Sequence, residues 1–229
     1  MCKSTDIRPT GTTLYFLPVE TRVPLKFGAE VLTQVTCARV RMTVRGRDGA
    51  VAEGWGETPL SVQWVWPSAA PYEERHEALK AFCVVLAEAW AEFGEMGHAL
   101  EVGQVFQETV LHGLLAKFNA EERAGKDPMP HLAALVCCSL FDIALHDAYG
   151  QLVGRPIYET YNAVFMNRDL STFVEAEGET VSFVGKYPGD YLVAEVPRRM
   201  RAWHLVGGLD PLEAGELSGE EPEDGYPVL

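Results

Sequence analysis

The chain has 229 residues, 47% of them hydrophobic and 10% aromatic, enough for one large domain or two small ones around a buried core. Its 33 acids against 19 bases give a formal charge of −14. That argues against nucleic acid or an anionic membrane as the main partner, since either would need a basic face.

Residues 12–58 read as β structure. Residues 12–20 lead into a Pro-containing turn at 22–26, and residues 31–45 then alternate. Val35, Cys37, Arg39, Arg41, Thr43 and Arg45 fall on one side, Thr36, Ala38, Val40, Met42 and Val44 on the other, as in a half-buried strand. Asp48-Gly49 is a short-loop hairpin signal, and residues 51–57 form the returning strand. A three-stranded antiparallel meander is the simplest arrangement. A loop rich in Trp and Pro (58–71) follows.

Helices come next. Over 72–93, apolar residues at 79, 82, 83, 86, 90 and 93 make one stripe, with Ser68 ahead as a cap candidate. Over 100–118 the positions 106, 110, 114 and 118 repeat at four. Residues 129–153 are apolar nearly all round, which predicts a buried helix, with Pro130 in the first turn and Gly154 just past the end. The expected class is α+β, a meander packed on a helical bundle.

After Tyr161 the pattern loosens. Residues 201–206 are a short strand candidate, ended by Gly207-Gly208. Residues 205–229 hold seven acids and no Lys or Arg. Such a stretch reads as a solvated loop or frayed tail; the alternative, a site for a hard cation, lacks the ordered spacing of a calcium loop. The five cysteines are an odd number with no CxxC pair, and the N-terminus (MCKSTDIRPTG) has no apolar stretch. Both point to a reducing, cytoplasmic setting without a signal peptide. No run approaches the roughly 18 apolar residues expected of a membrane span.

Three constellations carry chemistry on paper. Gly54-Trp55-Gly56-Glu57 ends the third strand, as a close backbone approach or as a place where Glu57 meets a ligand. Residues 58–67, with Trp64 and Trp66, line a pocket or roof the core. Asp142 and His146 stand one helical turn apart, as two metal ligands or as an ion pair in a crowded interior. His76, His98, His112 and His131 have no partners at ligand or triad spacing, and no GxSxG, phosphate loop or HExxH is present.

Two stretches together go further. Val23-Pro24-Leu25-Lys26 with Asp48-Gly49 and Gly54-Trp55-Gly56-Glu57 resembles the opening of the mandelate racemase/muconate-lactonising branch of the enolase superfamily. Residues 139–147 (SLFDIALHD), continued by Gly150, Gly154, Arg155-Pro156 and Ile157-Tyr158, resemble the same family's linker into its barrel, with His146 where the family often carries Trp. The motifs stand in the family's order, Ser139 lying 82 residues after Glu57.

The resemblance implies an α+β capping domain over residues 1–161 and, over 162–229, an incomplete start of a TIM-type barrel. It implies an isomerase or lyase that takes a proton α to a carboxylate and stabilises the enolate on magnesium. The family's bases, in a Lys-x-Lys pattern, and its three carboxylate ligands lie on later barrel strands. Only 68 residues follow Tyr161, without Lys-x-Lys, against about 250 for a barrel. The chain is therefore expected to be a fragment, a truncated product or one half of a split protein, with no catalytic residue and no bound magnesium of its own.

The family's two cap loops map to residues 23–29 and 57–67, which makes Lys26, Phe27, Glu57, Trp64 and Trp66 the expected contacts to a small carboxylic acid. The missing barrel or a second copy is the expected protein partner; neither nucleic acid nor membrane is. The alternative is a non-enzymatic binding or assembly module that kept the cap fold.

Overall fold

The computed structural model describes residues 3–27, 30–178, 180–193, 195, 197–203 and 206–226. The expected meander is present: β1 (Ile7–Phe27), β2 (Glu30–Gly46) and β3 (Val51–Pro59) pair antiparallel in the order β1-β2-β3. The period-two reading of β2 holds over 38–45, with Ala38, Val40, Met42 and Val44 buried and Arg39, Arg41 and Arg45 on the outer face, but Cys37, read on the side of the arginines, is buried. Gly49 takes φ 86° in the β2–β3 turn, where Ala50 N donates to Asp48 Oδ1 at 2.9 Å.

The expected turn at 22–26 is corrected. β1 runs on through it, and pairing resumes at Leu25↔Leu32, Lys26↔Val31 and Phe27↔Glu30. Pro24 sits in the irregular stretch between Glu20 and Leu25, so its missing N–H costs no ladder bond. Since β3 pairs with β2 only from Cys37 onward, the far part of β1–β2 is a two-stranded ribbon.

The helical layer comprises α1 (Val62–Val65), α2 (Tyr72–Glu92), α3 (Ala99–Phe106), α4 (His112–Glu121) and α5 (His131–Val153). α5 lies on β3 and β2, while α2 covers β1 and touches α5. Between them sit Phe82, Leu86, Trp90, Phe106, Phe141 and Tyr149, with Trp90 and Phe106 stacked 3.8 Å apart.

The spacing of four at 106, 110, 114 and 118 has a structural cause. Steps of four overshoot an α-helical turn by about 40° each, and one π turn, Gln107–Leu111, joins α3 to α4 and absorbs much of the drift. Ser68 does not cap α2; its Oγ accepts from Ala70 N, and Pro71 takes the N-cap. Pro130 is likewise the N-cap of α5 rather than in its first turn. Gly154 ends α5 at φ 64°, the left-handed geometry a side chain would strain.

One expectation fails on composition. α5 reaches mean hydropathy 1.5 over 18 residues, enough by length and composition to cross a bilayer. Here it is the central core helix, its small residues lying against the sheet.

Beyond α5 come four 3-10 turns, Ile157–Thr160, Leu170–Thr172, Pro188–Tyr191 and Ala214–Glu216. Among the described residues no strand follows Pro59, and none is buried after Met166. Of the strand expected at 201–206, residues 201–203 and Val206 are not extended pairs, and His204 and Leu205 lie outside the described residues. The acidic stretch 210–225 is mostly exposed, as expected.

Candidate functional site

The two motifs that carry the sequence resemblance are brought into direct contact. A Cβ at Gly54 would overlap the backbone of Ala144 and Ala148, and one at Gly56 would overlap Leu140 O, so α5 and β3 meet backbone to backbone. Polar contacts hold the register: Trp55 N donates to Asp147 Oδ2 at 2.8 Å, and Thr58 Oγ1 lies 2.7 Å from Ser139 Oγ. The two glycines thus serve close approach, the structural alternative for that motif.

The interlock turns Trp55 and Glu57 to the outer face. Glu57 is exposed and accepts from Arg39 Nε at 2.5 Å. Both line a shallow depression of about 400 Å³ with Trp55 and Ile143, and Trp55 stacks on Tyr15 at 6.0 Å. Burial, with Glu57 nearby, pushes the Cys37 thiol up.

The other expected contacts do not join Glu57. Lys26 is exposed and pairs with Val31, eight residues along β2 from Arg39, the partner of Glu57. At strand spacing that is about 26 Å. Phe27 pairs with Glu30, its side chain lying outside the described residues, as do residues 28–29 of the first loop. Residues 57–67 are not a plain loop: β3 extends to Pro59 and α1 follows. Within this stretch Trp64 is 63% exposed, whereas Trp66 is only 2% exposed. The Trp66 ring belongs to the core beneath Arg123, and its Nε1 donates to Asp127 at 2.9 Å.

Asp142 Oδ2 and His146 Nδ1 stand 3.7 Å apart, in keeping with the ion-pair reading and ionic only when His146 is protonated, and His146 Nδ1 lies 2.8 Å from Asp142 O. Among the described residues no three His, Cys, Asp or Glu side chains are placed to hold a metal. The acids after Gly207 serve their own turns: Asp210 accepts from Gly207 N, Glu216 from Leu212 N and Glu221 from Ser218 N. Asp224 is tied to Arg22, which holds its carboxyl down at about 2. This donor set does not fit the magnesium that the resemblance implies.

Sequence reasoning missed a polar clamp. Glu101 accepts from the backbone N–H of Asn167 and Arg168, at 2.6 and 2.7 Å, and from Asn167 Nδ2, which also donates to Asp6 Oδ1 at 2.9 Å. It fastens residues 166–168 to the N-terminus and α3. His98 was also missed. It caps α3 through Nδ1, which accepts from Leu100 N, while Nε2 lies 2.9 Å from Thr160 Oγ1. Burial, with His146 adding, pushes its pKa down to about 3. Glu101 at the third helical position was the available signal, but His is not a usual cap residue.

The fold and interlock define an α+β unit of meander and helices. No family model matches the sequence, and no curated protein does. Solved structures that it resembles include mandelate racemase/muconate lactonizing enzyme-like and enolase-superfamily proteins. A mandelate racemase/muconate lactonizing enzyme-like protein from Rubrobacter xylanophilus is 19% identical, with TM-score 0.37 over 66% of this chain and 33% of that one. The L-talarate/galactarate dehydratase from Salmonella typhimurium LT2 is 19% identical, with TM-score 0.40 over 72% and 35%. A dipeptide epimerase from Methylococcus capsulatus, complexed with Mg and L-Arg-D-Lys, is 16% identical, with TM-score 0.39 over 66% and 34%. The chain spans about a third of the length of each. At such values the likeness carries no weight of its own beside the contacts inside the chain.

Proposed function

We propose that this chain is the capping portion of an enolase-superfamily enzyme of the mandelate racemase/muconate-lactonising type. Residues 1–161 would be the cap, and residues 162–229 would lead toward a TIM-type barrel. The observation that carries the reading is the interlock of Gly54-Trp55-Gly56-Glu57 with residues 139–147 of α5. Two motifs that resemble the family independently, 82 residues apart, meet at backbone contact.

In this reading the cap selects a small carboxylic acid, and the barrel supplies the base and the magnesium. Related structures complexed with magnesium and mandelic acid, and with magnesium and L-glucarate, fit that substrate class. Lys26 and Phe27 at the end of the ribbon remain proposed cap contacts, an ammonium for a carboxylate, with Trp64 as an exposed indole for an apolar group; Glu57, about 26 Å from Lys26 along β2 and held by Arg39, is too far away to share one small acid with Lys26. Trp66 is assigned to the core. The chemistry is proton abstraction α to a carboxylate, ending in racemisation, dehydration or cycloisomerisation; none of its steps is assigned to residues described here.

The test is solvent exchange. The 229-residue chain is incubated with magnesium and mandelate or galactarate in deuterated buffer, and the α-proton is followed by NMR. The proton is expected to persist, with magnesium bound no tighter than about millimolar. Exchange that requires magnesium and stops on chelation would place catalytic groups within the chain and overturn the reading.

A further inference from the structure

The ribbon at the far end of β1–β2 is the least supported part of the sheet. Two strands alone are marginal in water, and this pair has a break in its ladder. Between Glu20↔Gln34 and Leu25↔Leu32, β1 spends residues 21–24 where β2 spends only Thr33. The extra residues bulge out of the pairing, and Arg22 stands among them.

The acidic segment returns to this bulge. Arg22 Nε donates to Asp224 Oδ2, 202 residues on, at 2.5 Å, and Nη2 donates to Asp224 Oδ1 at 2.8 Å. Nη2 also donates to Tyr226 O at 2.7 Å, and the Tyr226 ring lies under the guanidinium, 5.9 Å from Cζ. Past the bulge, Gly208 N donates to Lys26 O at 3.2 Å. A Cβ at Gly208 would lie 3.6 Å from Lys26 Cγ, so the two chains touch there. Between these anchors, Arg22, Val23 and Pro24 face Leu209, Pro211 and Pro222 across a space of about 300 Å³.

A single exposed ion pair holds little. Here the planar fork meets both carboxylate oxygens and a carbonyl, the geometry in which a guanidinium binds most firmly. A second anchor lies beyond the bulge, at Lys26. The segment has charge to match: residues 207–226 carry seven acids and no Lys or Arg. Asp210, Glu216 and Glu221 serve turns within the segment, whereas Asp224 reaches across to the ribbon.

We propose that residues 207–226 form an acidic strap, latched by Arg22 onto Asp224 and Tyr226, that closes over the β1 bulge and fixes the end of the ribbon. With the strap on, the bulge is bridged from Arg22 to Lys26. With it off, the ribbon end moves about the bulge. The docking stands without the family reading; only the consequence, that the strap governs the freedom of Lys26 and Phe27 as cap contacts, borrows from it.

The experiment compares full-length, 15N-labelled chains by NMR, reading the heteronuclear NOE of residues 207–226 and the amide exchange of Leu25 and Lys26. In the parent, Gly208, Asp224 and Tyr226 are expected to be as ordered as the sheet. Arg22→Gln and Asp224→Asn should each make these amides mobile and speed exchange at Leu25 and Lys26 about tenfold, while signals of the core around Trp90 stay in place. Glu223→Gln, the same loss of charge one residue away, should leave the strap ordered. Raising sodium chloride from about 0.05 M to about 1 M should loosen the parent, because the latch is exposed. The proposal falls if the segment is already mobile in the parent, or if Arg22→Gln or Asp224→Asn leaves it ordered. It also falls if Glu223→Gln loosens it equally, or if a freed strap leaves exchange at Leu25 and Lys26 unchanged.

Discussion

Residues 3–166 and 174–226 are both supplied with large apolar side chains, yet among the described residues only those of the first region form a core. In the first, Trp90 and Phe106 stack out of contact with water, between a sheet and helices whose apolar residues recur at period two or on one helical face. In the second, Trp203 is 98% exposed, and Met200, Val184 and Leu212 are also exposed. Among its described residues the regular structure is two 3-10 turns. Its carboxylates bond to backbone N–H groups within a few residues, as Glu221 does to Ser218 and Gly219. Apolar content alone does not make a core; residues must share a face, and a face needs a period.

The sharpest way to break this contrast is at the α5–β3 contact. Gly56→Val places a branched side chain where even a Cβ would lie 1.9 Å from Leu140 O, a backbone atom that gives way only if α5 as a whole shifts and its buried face loses its packing. A loss of more than about 3 kcal/mol is expected, enough to abolish cooperative unfolding in a chain of ordinary stability. Urea denaturation followed by circular dichroism measures it; a variant within experimental error of the parent would mean that the backbones are not in contact.

A second effect compares like with like across the two regions. Phe106→Ala removes a fully buried ring from the stack with Trp90 and should cost about 3–5 kcal/mol. Trp203→Ala removes a larger ring with almost no burial and should change stability by less than about 0.5 kcal/mol. Equal losses in the two variants would show that the second region packs as the first does.

The third effect depends on pH. His98 has a folded pKa of about 3, against about 6.5 when unfolded. Above about pH 6.5 it is neutral in both states and indifferent. As pH falls from there toward 3, the unfolded chain takes the proton first, so His98 removes about 1.4 kcal/mol of stability per pH unit. Asp142, whose pKa is raised, acts with the opposite sign above about 3.9, so Asp142→Asn is the clean background. There, His98→Asn keeps a capping acceptor and should flatten stability between about pH 6.5 and 4.5. An unchanged slope would mean that His98 is not a buried neutral group.

Much of the first region was legible in the sequence, and the reasons are local. The alternation in β2, the Asp48-Gly49 turn, the stripe of α2 and the stop at Gly154 each depend on residues within a turn or two of one another. The candidate site was legible only in part. Trp64 and Trp66 are two residues apart in one polar-looking stretch, yet one faces solvent and the other the core, because α1 turns the chain between them. Lys26 and Glu57 both mapped to cap loops, yet the β1–β2 ribbon carries them far apart.

What the sequence by itself determined was the elements, their order, their buried faces and the two motifs, because backbone periodicity and turn chemistry act over a few residues. The tertiary structure decided what those faces meet. It set Gly54 and Gly56 against α5, fastened Asn167 between Asp6 and Glu101, and laid Asp142 over Gly103 within 3.7 Å of His146. Such contacts join residues far apart in the chain, and no local preference encodes them; they are settled by which surfaces must pack to exclude water and which buried polar groups then find partners.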